Sequence, residues 1–326
     1  MFAGVELRVN TRLYYCCDVH GSNVCFKKAL NVAKYDIYKA NVIIIGGDLT
    51  GKRIVPIVKQ SNGGYTSQFF EKKHTMKSSE ELAEVRKYIE DSGFYPYVTE
   101  AQEIEALRAD RTKFNQLMNQ LILDRMQEWV KLADERLVGL NIQFFMSPGN
   151  DDDPKCGDII RSAKYMKNPE GQVVNLDDVH EMISCGAANE TPWKTAGEYT
   201  EDELEEMLEK MIAGVKNTQN LVMNMHVPPY DCGLDVAPKL NEQLQPVLVG
   251  GKPLHAPVGS KAVRKIIEKY HPKLGLFGHI HESGGEVHID NTLCVNPGSE
   301  YTEGILRGYV IDLDEKRIKQ FYRVEG

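Results

Sequence analysis

Five near-continuous apolar runs, residues 13–17, 42–45, 142–146, 221–225 and 274–277, punctuate the chain. Their length and their lack of alternation predict strands buried on both faces, as in a parallel sheet. Each run is closed by a short polar segment: Asp18-Val19-His20, Gly46-Gly47-Asp48, Gly149-Asn150-Asp151, His226 and Gly278-His279-Ile280-His281. Open α/β sheets place ligands outside the carboxyl ends of their strands, so five separate loops are expected to meet at one edge.

Between the runs the period changes. Phe26, Ala29, Leu30, Ala33 and Ile37 recur at helical spacing between the first two strands, which predicts a right-handed parallel βαβ unit. Residues 54–58 and 65–70 flank Asn62-Gly63-Gly64 and predict a small hairpin. Ser78-Ser79-Glu80-Glu81 has the form of a capping box ahead of Leu82, Val85 and Ile89, and Gly93 is placed to end that helix. A long helix over about 112–137 carries Phe114, Leu117, Leu121, Trp129 and Val130 on its core side. The gap between the second and third site strands is too long for a plain crossover. It predicts a single domain over residues 1–326 with a hairpin-plus-helix insertion at about 52–109, either a lid or substrate-selecting cap over the site edge, or a peripheral decoration or dimer contact. Thr200 and Ser260 cap two further helices, one carrying Leu204, Met207, Leu208, Met211 and Val215, the other Val263, Ile266, Ile267 and Tyr270. Residues 285–324 alternate and turn at Asp290-Asn291, Pro297-Gly298 and Gly304, as antiparallel strands do.

Composition narrows the setting. The 326 residues, 42% of them hydrophobic, suffice for one large core. No stretch reaches the roughly 20 apolar residues of a membrane span, and residues 1–10 lack the basic start and apolar core of a secretion signal. Together with seven cysteines and no Cys-x-x-Cys, this predicts a cytoplasmic protein with reduced thiols and no membrane partner. A formal charge of −8 disfavours nucleic acid, and a homodimer is left open.

The chemistry lies in the segments after the strands. Two divalent cations about 3.5 to 4 Å apart need oxygen and imidazole donors, one carboxylate able to bridge, and open positions for water and substrate. Asp18 and His20 stand two residues apart on a turn and can both reach one ion, while Asp48 is the natural bridge. Asn150 offers an amide oxygen, and His226, His279 and His281 add imidazoles. The other histidines, His74, His180, His255, His271 and His288, lack such context and read as surface or supporting residues. Asp153-Pro154 reads as a helix cap followed by a first-turn proline, which leaves Asp152 as a supporting partner of the site.

Asp18-x-His20, Gly46-Gly47-Asp48, Gly149-Asn150-Asp151-Asp152, His226 and Gly278-His279-x-His281 resemble, in order, the signature of the calcineurin-like metallophosphoesterases. Residues 278–285 with Asn296-Pro297-Gly298-Ser299 resemble most closely the small prokaryotic predicted phosphoesterases related to cyclic-nucleotide phosphodiesterases. The resemblance implies an α/β fold, a four-layer α-β-β-α sandwich with two central mixed sheets. It implies a metal pair drawn from manganese, iron, zinc or nickel, with manganese favoured. One ion would take Asp18, His20, Asp48 and His281, and the other Asp48, Asn150, His226 and His279. Asp48 and Asp151 are then the catalytic positions, and a metal-bridging hydroxide would attack a small phosphoester. Many family members carry a histidine at 151 that helps protonate the leaving oxygen. An ionised Asp151 cannot donate a proton, which shifts the expectation toward phosphodiesters. Three alternatives stand beside this: a phosphomonoesterase, a weakly active or inactive metal-binding scaffold with the same fold, and a nuclease, which the acidic balance disfavours.

Overall fold

The computed structural model describes residues 11–241 and 243–326, so the stretch read for a secretion signal, residues 1–10, lies outside the described residues. The chain folds as a mixed α/β structure around two large sheets. In the first, the strands Ile318–Glu325, Arg307–Leu313, Thr11–Cys17, Val42–Gly46 and Gln143–Ser147 lie in that order. Thr11–Cys17 and Val42–Gly46 pair in parallel, Leu13 opposite Val42 and Cys17 opposite Gly46, across helix α1 (Asn23–Lys34), which is the expected βαβ unit. The second sheet runs Gly285–Ile289, Thr292–Asn296, Leu274–Leu276, Leu221–Met225, Glu181–Cys185 and Val173–Asn175. Both sheets combine parallel with antiparallel pairs.

The apolar runs are continuous because both faces of these strands are covered. Leu13, Tyr15, Ile44 and Phe145 of the first sheet share one core with Met182, Val222, Leu276 and Val295 of the second. The alternate residues Tyr14, Cys16, Ile43 and Ile45 face Phe26 and Leu30 of α1. Ser79–Asp91 is α2 and Ala101–Ala109 is α3, and the same face is also covered by Met126 and Trp129 of α4 (Arg111–Leu137) and Ile160 of α5 (Pro154–Arg161). On the far side of the second sheet, Ile183, Met223 and Cys294 pack against Leu204 and Leu208 of α6 (Glu201–Ile212) and Val263 and Ile266 of α7 (Lys261–Tyr270). No helix among the described residues is long and apolar enough to cross a membrane.

Two helical stripes differ from the pattern read in the sequence. Ile37 is 53% exposed because α1 ends at Lys34. Phe114 is 38% exposed because the first turn and a half of α4, residues 111–116, is exposed throughout, and the buried stripe begins at Met118. The hairpin around Gly63 belongs to a larger unit. Lys72–Met76, Tyr65–Phe69, Ile54–Lys59 and Tyr95–Thr99 form a four-stranded sheet whose own core is Val55, Ile57, Phe69, Met76 and, from α2, Ile89. Its two edge strands escape sequence reading, one because it is lysine-rich and the other because Pro96 interrupts it, and both traits suit edges.

Candidate metal centre

All five site loops leave the carboxyl ends of parallel strands. Asp18 and His20 follow Thr11–Cys17, Asp48 follows Val42–Gly46, and Asn150 and Asp151 follow Gln143–Ser147. His226 follows Leu221–Met225, and His279 and His281 follow Leu274–Leu276. The donor atoms fall into two groups, Asp18 with His20 and His281, and Asp48 with His226 and His279, each within 4.8 Å. In the first, the Nε2 atoms of His20 and His281 are 3.0 Å apart, and Asp18 Oδ1 is 3.5 Å from His281 Nε2. In the second, His226 Nε2 lies 3.2 Å from His279 Nδ1 and 3.3 Å from Asp48 Oδ1. The other oxygen of Asp48, Oδ2, is 3.7 Å from His20 Nε2. One buried carboxylate therefore presents an oxygen to each group.

The backbone is strained at the same residues. Asp18, His20, Asp48 and His279 have φ of 52°, 40°, 44° and 66°. Such left-handed conformations cost a non-glycine residue on the order of 1–3 kcal/mol and persist only where neighbours enforce them. Here the Asp18 N–H donates to Gly47 O at 3.2 Å and the His20 N–H to Asp48 O at 3.0 Å. The His279 N–H donates to the Asp18 carboxylate at 3.1 Å, and Ser299 Oγ donates to Asp18 O at 2.7 Å. Asp152 accepts from the N–H groups of Leu49 and Gly149 at 2.8 Å and Thr50 at 2.9 Å, tying the Asp48 loop to the Asn150 loop through backbone. The Asn296-Pro297-Gly298-Ser299 segment is a turn whose Asn296 Nδ2 donates to Ile280 O at 3.0 Å, which fixes the histidine loop. A Cβ at Gly47 would sit 1.9 Å from His226 Nδ1, and one at Gly278 2.4 Å from Asp18 Oδ2, so neither position admits a side chain.

Asn150 Oδ1 is buried without a hydrogen-bond partner among the described residues, while Nδ2 donates to Thr195 Oγ1 at 2.8 Å. Buried polar atoms are rarely left unpaired, and a free amide oxygen in a loop beside Asp48 fits a cation ligand. The two Asp/His groups could hold metal ions, and their hard, mixed oxygen and imidazole donors suit divalent ones. Thr195 has no signal in the sequence. It reaches Asn150 because the Gly197 N–H donates to Asn150 O at 2.9 Å and clamps the 191–198 loop there.

Burial works against charge on every donor, and the neighbours decide the outcome. Burial takes His20 down to about 4 and His279 down to about 4. At His226 burial is outweighed by Asp48 and Asp18, which raise the imidazole to about 9, and His281 is raised by Asp18. Asp18 falls to about 2 despite burial, through His281, and Asp48 is held far below the usual carboxylate range by His226 and His20. The rings of His20 and Tyr301 lie 4.7 Å apart, so Tyr301 walls this side.

Asp151 is not a free carboxylate. Its side chain pairs with Lys52, a residue the motif reading passed over, and its N–H donates to Asp48 Oδ1 at 3.3 Å. His180 lies fully buried in a pair with Asp177 at 2.7 Å, and Asp177 also pairs with Thr11 at the end of the Thr11–Cys17 strand away from the site, while His255 is exposed on a short ladder.

No family model matches the chain. One curated relative, the uncharacterized protein MJ1162 of Methanocaldococcus jannaschii, is 36% identical over 167 residues, which are 50% of this chain and 68% of that protein. The chain belongs to the MJ1162 family. Two solved structures are similar to this MJ1162-family chain in fold. TT1561 of Thermus thermophilus matches with a TM-score of 0.52 at 14% identity, covering 97% of this chain and 99% of that one. A second crystal structure matches with a TM-score of 0.57 at 16% identity and the same coverage.

Proposed function

We propose that this chain is a dinuclear-metal phosphoesterase that hydrolyses a small phosphodiester. The observation that carries the reading is Asp48, whose two oxygens address two buried Asp/His groups at 3.7 and 3.3 Å. In this reading Asp18, His20, Asp48 and His281 hold one ion, Asp48, Asn150, His226 and His279 hold the other, and manganese is the first metal to try. The hydrophobic cores between the two large sheets and on their outer faces support a four-layer α-β-β-α sandwich of calcineurin-like type. Residues 1–326 are then one domain, with 52–109 inserted next to the site.

When bound, the cations supply a nucleophile from water near neutral pH and neutralise phosphoryl charge in the transition state. The protein's own part is positional. Asp48 would hold both ions, the Asp152 clamp fixes the two loops that carry Asp48 and Asn150, and Tyr301 packs beside His20. Position 151 offers no proton for the leaving oxygen, since its carboxylate is paired with Lys52. That favours a diester whose leaving group needs little protonation. Left-handed strain at four donors argues for chemistry over a passive scaffold.

The test is hydrolysis of bis-p-nitrophenyl phosphate and p-nitrophenyl phosphate by protein stripped and reloaded with manganese, with Asp48→Ala as the blank. Metal-dependent turnover favouring the diester supports the reading. Preference for the monoester keeps the enzyme and rejects the diester assignment.

A further inference from the structure

We infer that Lys52 is a phosphoryl-binding residue and that Asp151 is the residue that positions it. The inference rests on the phosphoesterase reading above and names a contact which that reading lacks. Lys52 lies in the 51–53 segment between the Val42–Gly46 and Ile54–Lys59 strands, four residues after Asp48. Its ammonium is paired with the Asp151 carboxylate, and Asp151 is in turn joined through its N–H to Asp48 Oδ1. The pair therefore sits on the same side of the centre as the bridging carboxylate.

Exposure separates the two partners. The Asp151 side chain is 20% exposed and that of Lys52 is 55% exposed. A carboxylate held low in the site anchors an ammonium whose remaining N–H donors are open to solvent at the rim. A lysine ammonium has three donors, so one bond to Asp151 leaves two for other acceptors. A phosphoryl group approaching Asp48 brings anionic oxygens of the kind this charge attracts. The pairing also offsets the repulsion that a lone Asp151 would exert on an anion. Lys52 thus neutralises charge beside a position whose own side chain, Asp151, is a carboxylate, and its effect grows with the negative charge of the substrate.

Isothermal titration of inorganic phosphate into manganese-loaded protein, run beside hydrolysis of the two nitrophenyl esters, tests this. Lys52→Met is expected to weaken phosphate binding about tenfold, and to raise KM for the monoester dianion more than for the diester monoanion. Lys52→Arg keeps the charge and is expected to retain phosphate binding. Asp151→Asn is expected to weaken phosphate binding when Lys52 is present, because the ammonium loses its anchor, and to strengthen it in the Lys52→Met background, where a lone Asp151 only repels the anion. Equal phosphate binding by wild type and Lys52→Met, with both esters still hydrolysed by wild type, overturns the inference and leaves the phosphoesterase standing. Wild-type protein that carries two metals yet neither binds phosphate nor hydrolyses either ester overturns both.

Discussion

His20 and His281 bring their Nε2 atoms to 3.0 Å of each other although their strands belong to different sheets. Two ring nitrogens this close, with Asp18 Oδ1 at 3.5 Å from one of them, form a donor set that could hold a shared cation. The same arrangement recurs at His226 and His279, and Asp48 lies between the two pairs.

Asp48 is the residue on which both groups depend. Asp48→Ala is expected to lower bound manganese from two ions per chain toward zero and to abolish hydrolysis of both esters. Plasma mass spectrometry on the dialysed variant, with circular dichroism to check the fold, measures this. Two retained ions would contradict the bridge.

On the dinuclear reading, cations and protons compete for His226. Its imidazole is raised to about 9 in the metal-free protein, because Asp48 and Asp18 favour the charged form over the effect of burial. A group raised above its unfolded value of 6.5 adds stability below that value and loses it as pH rises through about 9. The metal-free protein is therefore expected to lose Tm between about pH 6.5 and 9, while manganese affinity climbs over the same window as the proton is released. Scanning calorimetry and metal titration at pH 6, 7 and 8 check the two trends. Flat affinity across that range would mean that His226 is not a ligand.

Gly47→Ala places a methyl group where His226 stands, 1.9 Å from Nδ1, on a backbone with φ of 58°. Overpacking of this kind costs on the order of 1–3 kcal/mol, and the ring must shift. Lower Tm and loss of one of the two metals are expected. A variant with both metals and unchanged Tm would show that the loop has room the structure does not indicate.

Thr195→Val removes the acceptor of Asn150 Nδ2. Loss of a residue that orients a ligand typically reduces metal affinity about 10- to 100-fold. A manganese titration that reads the weaker site should show a drop in this range. No change would mean that Asn150 is held by its backbone clamp at Gly197 alone.

The sequence carried most of the frame and the six residues that gather in the two Asp/His groups. The apolar runs, the Thr200 and Ser260 caps and the turns at Asp290 and Gly298 are local signals, and the strands and helices they mark are present. The donors could be picked out because each follows a strand end, a rule of topology that needs no coordinates. Partners brought in from elsewhere were not legible. Thr195 reaches Asn150 across 45 positions through a clamp at Gly197, and Lys52 meets Asp151 across the gap that α2, α3 and α4 occupy in sequence. The exposed start of α4 was misread because periodicity marks a face without saying where the facing sheet stops.

The most direct measurement is anomalous diffraction from a crystal of this protein soaked in manganese. Two peaks about 3.5 to 4 Å apart, one beside Asp18, His20 and His281, the other beside His226, His279 and Asn150, with Asp48 between them, are the predicted result. A single peak, or two peaks without Asp48 between them, would contradict the dinuclear centre.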